Sequence, residues 1–200
     1  MRFPGLRLLS ALIAIAGLVG MAGCGGDDAV PRERPPETVD KLPKLPPGWK
    51  PYVNHRAGFA IGLAPGWSVR RGGSATLLMS PDRLVAVSIS ADRTTEAIEF
   101  PLDDYAEQAT EALVFNHVDA GKAHRFEAHY NAEAVDATGR ARSGLRQRLT
   151  FIAMRRDHVA TYAVLVARNA ERDTRYYEQE ALRMIRTLRG RPVGQPGRRG

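Results

Sequence analysis

Short runs of alternating apolar and polar residues fill the middle of the chain, and two helical stripes interrupt them. Phe59, Ile61 and Leu63 alternate with small residues before Ala64-Pro65-Gly66-Trp67 breaks the run, which predicts a strand and a turn. Residues 75–80 and 84–91 flank Pro81-Asp82 and predict a hairpin, with Val85, Val87 and Ile89 on one face and Ser88 and Ser90 on the other. Leu102, Tyr105, Ala106, Ala109, Ala112 and Leu113 recur at helical spacing, and Asp103 and Asp104 suit the positive end of that helix. Phe126, Ala128, Tyr130 and Ala132 alternate as in a strand, and Leu145, Leu149 and Phe151 mark one face of another. A turn at Arg155-Arg156-Asp157 leads into the β-branched stretch 159–167. The last stripe, Tyr177, Ala181, Leu182, Met184, Ile185 and Leu188, predicts a helix closed by Gly190 and Pro192. The order β-β-β-α-β-β-β-α predicts an α+β domain: a central antiparallel sheet of about six strands packed with two main helices.

The N-terminus follows a different pattern. Arg2 and Arg7 precede a largely apolar run of 14 residues from Leu8 to Met21, in which Ser10 is the one polar side chain. That run is shorter than the roughly 20 residues a spanning helix needs, and it reads as an export signal over residues 1–23. The tetrad Met21-Ala22-Gly23-Cys24 resembles the lipobox of bacterial lipoproteins, with Met in place of the usual Leu. The resemblance implies diacylglyceryl transfer to the Cys24 thiol and cleavage just before it. Cys24 is the only cysteine in the chain, so no internal disulfide forms and no multi-cysteine zinc site can be built. Gly25, not Asp, follows it, so the inner-membrane retention signal of enteric lipoproteins is missing.

Residues 24–51 carry seven prolines and predict an extended tether behind the lipidated cysteine. At about 3.1 Å per residue it reaches roughly 80 Å. Leu42, Leu45 and Trp49 are positioned to dock its end onto a domain spanning 52–189, and residues 190–200 read as a basic, disordered tail.

Charge adds little. Of the 29 basic side chains only Lys41, Lys44, Lys50 and Lys122 are lysine, and this arginine excess beside abundant Ala and Gly reads as composition bias. Removal of Arg2 and Arg7 with the signal lowers the formal charge from +7 to +5. A basic balance permits attraction to anionic surfaces. The export signal takes the chain away from cytoplasmic nucleic acid.

Gly58-Phe59-Ala60-Ile61 running into Pro65-Gly66-Trp67, the Leu102-Asp103-Asp104-Tyr105-Ala106 helix and the Tyr177-to-Leu188 stripe together resemble the PsbP-like superfamily, named for an extrinsic subunit of photosystem II. The lipobox, tether and arginine content are most similar to its actinobacterial lipoprotein branch of LpqN/LpqT type. The resemblance covers about two thirds of the chain and implies an α+β sandwich. It supplies no matched catalytic residue and suggests no photosystem.

Candidate chemistry is sparse. The sequence has no G-x-S-x-G elbow, Walker-type loop or dinucleotide glycine pattern, and it implies no cofactor. Ser74, Ser80 and Ser143 lie in turn contexts, where hydroxyls satisfy local backbone, and Glu107 and Glu111 read as a solvated helix face. His129 and Glu133, with Glu127, would share a strand face, yet one imidazole and two carboxylates are too few for a structural zinc site. His55, His117, His124 and His158 show no ligand spacing. Arg140, Arg142, Arg146 and Arg148 have even spacing and would line one face of an unbroken strand, where guanidinium groups bind phosphate or carboxylate in pairs. A solvated edge that discourages strand pairing is the simpler reading of the same row. The expectation is a non-catalytic binding or accessory module at the extracytoplasmic face of the cell membrane. Its partner would be an envelope protein, lipid or wall polymer. A carrier of envelope lipids and an enzyme with an unrecognised site are the alternatives.

Overall fold

The computed structural model describes residues 41–55, 57–72, 75–93, 102–111, 118–140, 143–156, 159–167 and 173–190. Among them the chain forms β1 (Lys50–Asn54), β2 (Phe59–Leu63), β3 (Ser68–Gly72), β4 (Ala75–Met79), β5 (Val85–Arg93) and α1 (Leu102–Glu111). There follow β6 (Val118–Ala120), β7 (His124–Arg125), β8 (Asn131–Arg140), β9 (Arg146–Arg156), β10 (Val159–Ala167), α2 (Arg175–Arg186) and β11 (Arg189–Gly190). The main sheet has eight strands, ordered β3-β4-β5-β10-β9-β8-β6 with β7 also paired to β8, and a second sheet is ordered β1-β2-β11. Every pairing is antiparallel. The predicted α+β class with a large antiparallel sheet and two helices is the one observed; the sheet is wider than the six strands expected.

Alternation decides which face of the sheet each helix covers. Val135, Ala137, Leu149, Phe151 and Ala153 point to one face and bury Ala106 of α1. Ala132, Ala134, Ile152 and Met154 point to the other, where Val85, Val87 and Ile89 join them beneath α2 and the small sheet. There α2 buries Ala181, Met184 and Ile185, with Leu188 just beyond its end. Two apolar layers therefore sandwich one sheet.

Several local readings are corrected. The strand read at 126–132 starts later, at Asn131; Phe126 lies in a connection, buried beneath the Arg186 guanidinium at 5.5 Å. Gly190 does not cap α2. The helix ends at Arg186, Thr187 N–H bonds Met184 O, and Gly190 pairs with Phe59 in β11. Leu145 precedes β9 and is exposed, so only Leu149 and Phe151 of that trio are buried. Ala112, Leu113, Asp157 and the tail 191–200 lie outside the described residues, as do residues 1–40.

At its N-terminal side the domain begins with a turn in which Trp49 N–H donates to Pro46 O at 3.2 Å, and Trp49 packs against the α2-side core. Gly62 makes room here: a Cβ on it would stand 2.5 Å from Leu45 Cδ2 and 3.3 Å from Trp49 Cε3. Gly66 has φ +79°, and a Cβ would stand 2.9 Å from Pro81 Cγ. We expect Gly66→Ala to lose about 1–2 kcal/mol, the cost of holding an L-residue in the left-handed region. Urea unfolding measures it, and an unchanged midpoint would contradict this account.

Candidate functional site

The arginine row folds back on itself. β8 ends at Arg140, Gly144 turns the chain at φ +82°, and β9 starts at Arg146, directly opposite Arg140. The expected unbroken strand is thus a hairpin. Cross-strand partners share a face, and Arg148 is two residues further along β9, so Arg140, Arg146 and Arg148 still lie on the α2 side of the sheet. Arg142 lies outside the described residues, as does Cys24.

The three arginines serve different ends. Arg148 forks onto Glu178 in α2, with Nη2 2.5 Å from Oε1 and Nε 3.3 Å from Oε2. It also donates to Thr174 Oγ1 at 2.7 Å, and that hydroxyl donates to Glu178. Burial pushes the Glu178 carboxyl up, but hydrogen bonds from Arg148 and Thr174 outweigh it and hold the group below the usual carboxylate range. The same hydrogen bond holds the Arg148 guanidinium above its ordinary value, against a smaller opposing effect of burial. Arg148 is a structural clamp. It fixes the first turn of α2 to the root of the β8–β9 hairpin.

Arg140 and Arg146 are exposed. One Arg140 N–H donates to Gly144 O at 3.2 Å. Among the described residues no carboxylate stands within ion-pair distance of either guanidinium. With Asp119, Thr138 and Gly139 they line an open hollow of about 170 Å³, below the roughly 300 Å³ at which pockets enclose drug-sized ligands. The hollow suits a group the size of a phosphate or carboxylate.

The remaining candidates separate. His129 lies in a bend and Glu133 on β8, so they do not share a strand. Among the described residues no cluster of three His, Cys, Asp or Glu side chains suits a metal ion. His124 Nε2 stands 3.8 Å from Asp136, whose other oxygen accepts from Thr150 Oγ1 at 2.7 Å. The carboxylate sits between imidazole and hydroxyl, so this is not a base–nucleophile pair. Ser80 Oγ accepts from Val85 N–H at 3.0 Å and donates to Asp82, and Ser143 is an exposed turn residue; Ser74 lies outside the described residues. Glu107 is not merely solvated, because it accepts Ala123 N–H at 2.8 Å and ties the loop to α1. The sequence reading missed the polar contact that ties buried Trp67 to α2. Its Nε1 donates to Glu180 at 2.5 Å, and Glu180 also accepts from the exposed Tyr176 at 3.4 Å. The adjacent Tyr176-Tyr177 pair was the available signal.

No family model and no curated protein matches the chain. Solved structures do. A crystal structure of a Bacteroides thetaiotaomicron protein aligns with TM-score 0.52 at 15% identity, covering 74% of this chain and 50% of the other. This chain thus spans about half the length of that protein. The solution structure of cyanobacterial PsbP from Synechocystis aligns with TM-score 0.54 at 6% identity, over 85% of this chain and 98% of that one. Identities this low speak for architecture alone, and the architecture is that of a PsbP-like sandwich.

Proposed function

We propose that the protein is an exported lipoprotein of LpqN/LpqT type, anchored by acyl chains on Cys24 at the extracytoplasmic face of the cell membrane. Its sandwich domain serves there as a non-catalytic binding or accessory module for an envelope component. One observation carries the reading: the single cysteine falls directly behind Ala22-Gly23 and the apolar segment, ahead of a proline-rich tether. A lone Cys in that setting has no core to enter, whereas buried thiols are the ordinary case elsewhere. Each buried methylene adds about 0.8 kcal/mol, so more than one acyl chain gives a lasting anchor. His124, Asp136 and Thr150 do come together, but the carboxylate lies between the imidazole and the hydroxyl, an order that supports binding rather than turnover.

Metabolic labelling with an alkynyl fatty acid, followed by coupling to a fluorophore, tests the anchor. The wild-type chain is expected to label and Cys24→Ala to lose the label entirely. Equal labelling of both would overturn the proposal.

A further inference from the structure

Strand register defines one end of the main sheet. Asp119 pairs with Thr138, Thr138 with Arg148, Arg148 with Ala167, and Ala167 with Val85. Val85 O accepts Ser80 N–H at 2.9 Å, and Met79 pairs with Ser68, next to Trp67. Beyond this row lie the β8–β9 tip, the β4–β5 turn and Pro65-Gly66. Gly48 of the turn that opens the domain packs beside Pro65, where a Cβ would meet Pro65 Cγ at 3.4 Å. The Arg148 clamp brings the first turn of α2 to the same end.

The large hydrophobic side chains exposed among the described residues are Leu145, at 49%, and Tyr176, at 70%. Both belong to this end, one in the hairpin tip and one in the first turn of α2. Leu145 is flanked in the hairpin by Arg140 and Arg146, whose guanidinium groups have donors to spare. Glu178 is engaged by Arg148, Glu180 by Trp67 and Asp82 by Ser80 and Leu84 N–H, while Asp119 lines the hollow with Arg140 and Arg146 and leaves two cations there against one carboxylate. An exposed aliphatic group, an amphipathic phenol and cations at one end match the layered chemistry of a bilayer surface, with apolar groups at the acyl boundary and guanidiniums at phosphates.

Resting on the anchored reading above, we propose that this end is a second membrane contact. The β8–β9 tip lays Leu145 into the interface while Arg140 and Arg146 bind the phosphates of anionic phospholipid, and Tyr176 lies at headgroup level. The tether then holds a domain that sits on the bilayer in one orientation, not one that tumbles above it.

The test uses the full chain with Cys24→Ser, held to vesicles through an added N-terminal hexahistidine tag and a nickel-chelating lipid, so that attachment does not depend on lipidation. A single thiol is introduced at the tip (Leu145→Cys) or at the opposite end of the sheet (Asn131→Cys) and labelled with nitrobenzoxadiazole. Vesicles of phosphatidylcholine with phosphatidylglycerol, or of phosphatidylcholine alone, carry a nitroxide-lipid quencher, and flotation verifies attachment. The tip probe is expected to be quenched about threefold more in anionic than in neutral vesicles, as headgroup charge requires. The Asn131→Cys probe is expected to show no such difference. Arg140→Gln with Arg146→Gln should abolish the anionic preference while circular dichroism stays native. A floated chain whose tip is unquenched, whose two probes are quenched alike, or whose preference survives loss of both arginines overturns the contact and leaves the lipid anchor standing. The anchor itself stands or falls on the fatty-acid labelling of wild type against Cys24→Ala, so failure of the contact and failure of the anchor are read by separate measurements.

Discussion

Phe59→Ala is expected to destabilise the domain by about 3–5 kcal/mol, the usual cost of emptying a large aromatic site in a packed core. Phe59 is fully buried, pairs with Asn54 of β1 and Gly190 of β11, and stands 6.4 Å from the Tyr52 ring. Together with the equally buried Ile61, this side chain seats the small sheet on the α2-side core. Domains of this size carry only about 5–15 kcal/mol in all. Thermal unfolding should move down by roughly 10–20 °C, read from the usual dependence of midpoint on free energy at this length. Hydrogen exchange should show β1, β2 and β11 opening first, because β11 is two residues long and owes its place to β2. A loss below about 1 kcal/mol would mean that the small sheet is held from elsewhere.

The elements that were legible in the sequence are those whose burial follows a period. Val85, Val87 and Ile89 on one face, and Ala181, Met184 and Ile185 along α2, carry their periodicity openly. β11 could not be found this way. Arg189-Gly190 has no strand character of its own, and pairing with Phe59 and Ala60 imposes one. β3, Ser-Val-Arg-Arg-Gly, likewise takes its strand form from β4. β8 was displaced because aromatic alternation at Phe126 and Tyr130 is a stronger signal than the alanine-rich strand after it. Those alanines are small because both faces of β8 are covered.

The arginine row shows the same limit in the candidate site. Even spacing expected Arg140, Arg142, Arg146 and Arg148 along one unbroken strand; the strand breaks after Arg140, and Arg140, Arg146 and Arg148 share a face through pairing across the hairpin. The Ser143-Gly144 pair is turn chemistry, and giving it full weight would have predicted the hairpin and the opposition of Arg140 to Arg146. No local signal distinguishes Arg148 from its neighbours. Its partner Glu178 is 30 residues away, and only the packing of α2 on the sheet makes one arginine a clamp and leaves two at the surface.

Arg148→Glu should destabilise the fold at neutral pH by about 2–3 kcal/mol. Breaking a fully buried pair costs more, but the Arg148 side chain is 35% exposed and the Glu178 side chain 20%, so solvent screens part of the repulsion. Two carboxylates would then share the Thr174 hydroxyl, and at least one must titrate upward. The pH dependence follows with opposite signs in the two proteins. In the wild type the Glu178 carboxyl is held below its unfolded value, so its contribution is complete above about pH 4.3 and is lost as pH falls through the lower folded value. In Arg148→Glu the shared carboxyls are raised, so mild acid relieves the repulsion and narrows the gap to wild type. Exchanging the pair, Arg148→Glu with Glu178→Arg, should recover about half of the loss or more, since the charges again oppose each other across the same gap. Urea titrations of the four proteins at neutral and mildly acid pH read both effects. Additive losses in the double variant, or a gap that widens in acid, would show that α2 is held to the hairpin by packing and not by this ion pair.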